Sequence, residues 1–279
     1  MQSNTKLNQL RRQLPEGLLV DAAWLTARGY STALRSQYVT AGRLEQPARR
    51  VYRQPRGDVR WEQVVVSLQL LMDSKLVVGG RSALELGGFA HYLGKSEREI
   101  HLYGPAKPPS WLEDLELGMQ FRSHNSRRLF EEDDVTAWFS ELAGALDAPN
   151  DLKRKQSDHF RTMPWGQWNW PITCSTPERA LLELLDELPK HETFHQVDML
   201  MEGLSSLSPR RLQRVLTACS SVKVKRLFFF FADRHRHAWL KQLDKSAIDL
   251  GSGNRVLVKG GKLDRRYRIT VPEDLDGVS

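Results

Sequence analysis

The chain has 279 residues, 40% of them hydrophobic and 27% charged, which is the composition of a folded globular protein at a length that suggests two domains. No apolar run reaches the ~18 residues of a membrane span, and Met1-Gln2-Ser3-Asn4-Thr5-Lys6 leads into no signal-peptide core. The two cysteines, Cys174 and Cys219, lack a CxxC partner, so a reduced, cytoplasmic protein without metal or cofactor is expected.

The net charge of +7 lies at one end: residues 1–60 carry eleven basic and four acidic groups, and residues 61–279 carry thirty of each. A positive field concentrated in that fifth of the chain favours a polyanionic partner. The first 60 residues also have the spacing of a winged helix-turn-helix. Residues 3–13 read as a helix with Leu7 and Leu10 inward, broken by Pro15-Glu16-Gly17. A second helix is expected over 18–28, with Asp21 able to cap an extension, and Gly29 ends it. Ser31 caps a third helix to about 41, with Leu34, Tyr38 and Ala41 inward and Thr32, Arg35 and Ser36 outward. Residues 43–53 then fit two short strands around a turn at Pro47, forming a basic wing. In such a unit the third helix brings small polar and Arg side chains to base edges while the wing neutralises phosphates. The expected DNA-binding residues are Ser31, Thr32, Arg35, Ser36, Arg43, Arg49, Arg50, Arg53 and Arg56. The competing reading is a basic unit that only solubilises the protein or docks an acidic partner.

Further along, Trp61, Val64, Val65, Leu68, Leu71 and Met72 repeat at helical spacing. Val77-Val78-Gly79-Gly80 leads into a helix from Arg81, and residues 99–103 and 119–122 read as strands. Residues 147–157 suggest an exposed connector. Thr176-Pro177 and Ser208-Pro209 each pair a cap with proline at the first helical position. Val224, Leu227, Phe228 and Phe231 make a last buried stripe, and 255–259 and 263–272 read as two strands around Gly260-Gly261.

Several motifs admit a bland and a chemical reading. His191-Glu192-Thr193-Phe194-His195 fits HExxH, which binds zinc when both histidines lie on one helix. Here it falls between two helices and reads as a chance match in a polar loop. The glycine pair before Arg81 could cradle a phosphate and resembles the opening of nucleotidyltransferase folds. Glu99-Ile100-His101, however, offers one carboxylate where such enzymes need two or three, and close packing alone explains the glycines. His235-Arg236-His237 reads as solvated surface. Arg210, Arg211, Arg214, Lys223, Lys225 and Arg226 form either solvated faces or a second polyanion-facing surface.

Other segments are more specific. Val78-Gly79-Gly80-Arg81-Ser82-Ala83-Leu84-Glu85-Leu86, Ser175-Thr176-Pro177-Glu178-Arg179-Ala180-Leu181-Leu182-Glu183, Val222-Lys223-Val224-Lys225-Arg226-Leu227-Phe228, Ile248-Asp249-Leu250-Gly251-Ser252-Gly253, Lys259-Gly260-Gly261-Lys262-Leu263-Asp264 and Tyr267-Arg268-Ile269-Thr270-Val271-Pro272 together resemble the AbiEi-family antitoxins of type IV toxin–antitoxin systems, over nearly the whole chain. The resemblance implies a non-enzymatic phage-defence protein with two roles. Its winged helix would bind inverted repeats in double-stranded DNA of its own promoter and repress the operon. Its C-terminal domain would counteract a nucleotidyltransferase-like toxin without a tight complex. The expected fold is therefore α+β: a winged helix-turn-helix over 1–57, then a larger mixed α/β antitoxin domain over 58–279 with a lobe boundary near 150–175. The alternatives are a ligand-sensing winged-helix regulator and a nucleotidyltransferase-like enzyme.

Overall fold

The computed structural model describes residues 2–89, 99–132, 135–143 and 155–276. The first helix, α1 (Gln2–Gln13), buries Leu7 and Leu10, with Leu14 just beyond it. The second element is not wholly the helix that the sequence suggests. Leu18, Leu19 and Val20 are consecutive buried residues, and Leu19–Asp21 form a strand, β1, before α2 (Ala22–Ala27) begins. Three successive apolar residues carry no helical period, and a sheet edge is available to bury them. Asp21 still caps the helix, accepting from the Trp24 amide at 2.7 Å. Ser31 caps α3 (Thr32–Thr40) in the same way. Strands β2 (Glu45–Ala48) and β3 (Val51–Arg53) complete a three-stranded sheet in the order β1-β3-β2. The wing turn is at Arg49-Arg50, with Arg50 at φ 64°, and not at Pro47. The proline lies within β2, the edge strand, where its missing N–H forfeits no ladder bond.

The helix α4 (Trp61–Leu70) ties this unit to the rest. Ser67 Oγ accepts from the Leu19 amide at 2.8 Å and donates to Gln63. Two residues on, the buried Gln69 amide accepts from Thr173 N at 2.9 Å and donates to Thr173 O at 3.0 Å and Leu76 O at 2.8 Å. A buried side chain with that many bonds is costly to remove, because its partners are left unsatisfied at ~1–3 kcal/mol each.

Beyond it lie β4 (Val77–Val78), α5 (Gly80–Leu86), β5 (Glu99–Gly104), β6 (Gln120–Asn125), α6 (Val135–Ala143), β7 (Phe160–Trp165) and β8 (Trp170–Ser175). The sheet order is β6-β5-β4-β8-β7. The pairs β5–β6 and β4–β8 are parallel, and β4–β5 and β7–β8 antiparallel. Within 150–175, the segment in which the sequence suggests a lobe boundary, β7 and β8 join the same sheet as β4. Of the connector expected at 147–157, residues 147–154 lie outside the described residues.

The remaining helices are α7 (Pro177–Asp186), α8 (Phe194–Gly203), α9 (Pro209–Ala218) and α10 (Val222–His235). Both Pro-bearing N-termini are capped as expected, by Thr176 and Ser208. Residues 224–232 of α10 are all buried, the mark of a helix enclosed on every side. The tail hairpin pairs β9 (Lys262–Asp264) with β10 (Ile269–Val271). This corrects the expected strands. Its turn is at 265–268 rather than at the glycine pair, and residues 255–259 contribute only a bridge from Arg255 to Ile269.

Candidate nucleic-acid interface

The helix-turn-helix formed by α2 and α3, with the β2–β3 wing beside it, leaves an exposed polar surface. Ser31, Thr32 and Ser36 are exposed along α3, followed by Arg43; Arg49 and Arg50 are exposed at the wing turn, and Arg56 beyond it. Gln37 shares the exposed face of α3 and was not among the residues expected from sequence; its position beside Ser36 in the helical repeat was the available signal. Arg49 and Arg50 also line a cavity of about 470 Å³ with Asp21, Ser110, Trp111 and Asp114, so the turn lies next to the C-terminal body.

Two of the expected contacts are corrected. Arg35 does not face outward; it is 6% exposed. Its guanidinium donates to Ala22 O at 2.7 Å, Thr26 Oγ1 at 2.8 Å and Thr32 Oγ1 at 2.8 Å. It thus fills the angle between α2 and α3, where it meets backbone and hydroxyl acceptors that solvent-facing arginines lack. Arg53 is likewise buried. It pairs with Glu45 at 2.6 Å and donates to the carbonyls of Arg56 and Gly57, fastening the chain that leaves the wing. Arg56 is exposed and paired with Glu16.

Of the second basic surface expected on α9 and α10, Arg210 and Arg214 are exposed, and the other four cations are partly or fully buried. Arg211 is held on the buried Glu178 at 3.1 Å, and Arg214 pairs with Asp158. Lys223 meets Asp186 at 2.9 Å and donates to the Asp186 and Leu188 carbonyls at the end of α7. Lys225 is buried. Arg226, 2% exposed, donates to Leu250 O and Gly253 O, each at 2.7 Å, and Arg268 O at 3.3 Å. Arg210 is exposed. Lys223 and Arg226 thus satisfy a helix end and loop carbonyls, because α10 is enclosed by the rest of the fold.

The glycine pair is occupied from within. Gly80, at φ 50°, donates its amide to Glu183 Oε2 at 2.9 Å. Glu183 also accepts from Ser175 Oγ at 3.0 Å and Arg179 Nε at 2.8 Å. Burial raises its carboxyl pKa, against the pull of Arg179. A Cβ on Gly79 would collide with Tyr103 and Glu183, so close packing accounts for that glycine. On the neighbouring strands, Glu99 holds Arg122 through bonds of 2.6 and 2.9 Å, which keep its carboxyl below the usual range. His101 Nδ1 lies 3.0 Å from His124 Nε2, and His124 Nδ1 lies 3.2 Å from Glu187. The set is a self-paired network, and no group of three or more His, Cys, Asp or Glu among the described residues is arranged to hold a metal ion. The HExxH segment straddles a helix start: α8 begins at Phe194 under a Thr193 cap, and Glu192 is buried against Arg81, with Oε1 2.7 Å from Nε. His235 bonds to Asp198 at 2.8 Å and His237 to Met201 O at 2.7 Å.

Comparisons with known proteins agree with this architecture. Residues 3–95 match a family model described as transcriptional regulator, AbiEi antitoxin N-terminal domain. Residues 97–272 match one described as transcriptional regulator, AbiEi antitoxin, type IV TA system. Among solved structures, the chain resembles the Rv2827c protein from Mycobacterium tuberculosis, with a TM-score of 0.55 at 14% identity, over 96% of this chain and 90% of that one; the likeness is one of fold. No curated protein matches. Among the described residues no helix is long and apolar enough to cross a membrane. Matched over nearly its whole length, the chain belongs to the AbiEi antitoxin family of type IV toxin–antitoxin systems, whose members are described as transcriptional regulators.

Proposed function

We propose that this antitoxin represses its own operon by binding inverted repeats in the promoter through residues 1–57, and that residues 58–279 counteract a nucleotidyltransferase-like toxin without a tight complex. The observation that carries the DNA-binding part is the exposed polar face of α3, with Ser31, Thr32 and Ser36 followed by Arg43, set beside the exposed wing arginines Arg49 and Arg50. Small hydroxyl side chains on a helix that fits the major groove meet base edges, and flanking arginines meet phosphates. Arg56 joins the phosphate-facing set. The protein is not an enzyme in this reading: the glycine turn that could cradle a phosphate is filled by Glu183, and Glu99 is committed to Arg122.

The test is a mobility-shift titration of the full chain on a duplex from its own promoter and on an unrelated duplex. Thr32→Ala with Ser36→Ala should lose about 1–3 kcal/mol of preference for the promoter while keeping the affinity for unrelated DNA. A wild-type chain that binds neither duplex at ~50 mM salt, where phosphate contacts are strong, ends the proposal.

A further inference from the structure

The cavity beside the wing turn brings opposite charges together without pairing them. Arg49 and Arg50, exposed at the turn, line a space of about 470 Å³ together with Asp21, Ser110, Trp111 and Asp114. Two guanidinium groups and two carboxylates border it, yet among the described residues no ion pair joins any of the four to an opposite charge. The volume is in the range of small-molecule sites, ~300–1,000 Å³.

Both walls are fixed by backbone contacts. On one side, Asp21 lies opposite Val51 in the β1–β3 ladder, and the Ala22 amide donates to Arg50 O at 2.8 Å. The first carboxylate is therefore held beside the turn, and the α2 cap uses one of its oxygens, Oδ1, at 2.7 Å from Trp24 N. On the other side, Ser110–Leu112 form a short 3-10 turn in which Trp111 and Leu112 are buried. The Asp114 amide donates to Trp111 O at 3.2 Å, so buried anchors hold the exposed Ser110 and Asp114 in place. A purely anionic ligand here meets two carboxylates, and a purely cationic one meets two guanidinium groups. A small molecule carrying both charges meets a charge-assisted partner at each end. The DNA backbone, anionic throughout, suits the arginines but not the acidic side.

We propose that this cavity binds a zwitterionic small molecule of the α-amino-acid class, its carboxylate on Arg49 and Arg50 and its ammonium on Asp21 and Asp114, and that occupancy withdraws the two wing arginines from DNA. Ser110 adds a hydroxyl and Trp111 an aromatic wall for the ligand's side chain. The regulatory half of the inference rests on the reading of Arg49 and Arg50 as phosphate contacts; the binding half does not. Because a guanidinium engaged by a carboxylate is no longer free for a phosphate, ligand and duplex compete for the same cations. Such competition lowers affinity for every sequence alike and leaves the base-reading face of α3 untouched.

The test is calorimetric titration of the full chain with each of the common L-amino acids, followed by salt titrations of DNA binding with the tightest one present. At least one amino acid should bind once per chain. Its N-acetyl derivative, which lacks the ammonium, and its methyl ester, which lacks the carboxylate, should each bind at least ~10-fold more weakly, as should the parent amino acid to Asp114→Asn. At saturation the amino acid should weaken binding to promoter and unrelated duplexes alike and flatten the salt slope by about two. In Asp114→Asn the same effect should need at least ~10-fold more ligand. A wild-type chain that shifts promoter DNA but binds no amino acid at ~10 mM overturns the site and leaves the winged-helix reading standing. Binding indifferent to Asp114→Asn and to both derivatives overturns the site as well, and an ester that fails where the N-acetyl derivative binds normally overturns the zwitterion assignment in favour of a simple anion. Binding with the expected pattern to a chain that shifts no duplex keeps the site and removes the reading of the wing. Ligand binding that leaves both DNA affinities unchanged keeps the site and overturns the competition.

Discussion

Arg35 Nη1 donates to the carbonyl oxygen of Ala22 at 2.7 Å, bridging α3 back to the first residue of α2 from inside the helix-turn-helix. A guanidinium in that place sets the angle between the two helices and reads no base. Arg35→Ala should therefore lower stability, by about 1–3 kcal/mol for the acceptors left without partners. At a temperature where the variant is folded, the ratio of its affinities for promoter and unrelated DNA should equal that of the wild type. Urea denaturation followed by binding titration on both duplexes checks this, and a variant of unchanged stability with lost promoter preference would return Arg35 to the surface.

The wing should behave in the opposite way. Arg49 and Arg50 sit at a two-residue turn, exposed and far in sequence from any base-reading position. Arg49→Ala with Arg50→Ala should weaken binding to every duplex alike and flatten the salt slope by about two. A change confined to promoter DNA would show that the turn reads sequence.

How far these roles could be read in the sequence depended on the range of the interactions. The caps at Asp21, Ser31, Thr176 and Ser208 are local, three residues from their amides, and all were legible. So was α4, whose apolar repeat needs one turn of context. Strand β1 was not, because three residues carry too little period to separate strand from helix. The partners of Arg211 and Arg226 lie 33 and 24 residues away, and no spacing rule reaches that far, so buried ion pairs and carbonyl clamps looked like a solvated basic face.

The network beside β5 predicts acid sensitivity. Burial, reinforced by the charge of His124, pushes the His101 pKa down to about 4. The unfolded chain takes up that proton near pH 6.5 while the folded chain refuses it until about 4. Stability is therefore lost as pH falls through that window, by about 3 kcal/mol from linkage. Glu187, whose burial is outweighed by the His124 hydrogen bond, and Glu99, held by Arg122, have depressed pKa values; their contributions are present above ~4.5 and lost as pH falls further. Glu183, raised by burial, opposes the trend above ~4.5. Comparing wild type with His101→Asn isolates the histidine: urea midpoints between pH 7 and 4 should fall less steeply in the variant. Parallel curves would show that His101 titrates normally in the fold.

The two roles proposed for the chain should separate, but point variants will separate them more cleanly than truncation. Removing residues 1–57 would strip β1 from α4, where Ser67 accepts from Leu19 and Val64, Val65 and Val66 are buried, so a fragment starting near residue 58 would expose apolar surface and lose the Leu19 amide's bond to Ser67. In the full chain, Thr32→Ala, Ser36→Ala, Arg49→Ala and Arg50→Ala change only exposed or turn side chains and leave that junction intact. The four-fold variant should lose repression of a promoter reporter and still rescue cells that express the cognate toxin. Arg211→Glu is the contrasting control. It would confront the buried Glu178 with a second carboxylate and, by breaking a pair with one buried partner, should cost about 3–5 kcal/mol. Rescue should then fail through unfolding, visible as lost circular dichroism. A four-fold variant that is folded yet fails to rescue would mean that toxin neutralisation passes through the DNA-binding face, and the division of labour between the two regions would have to be abandoned.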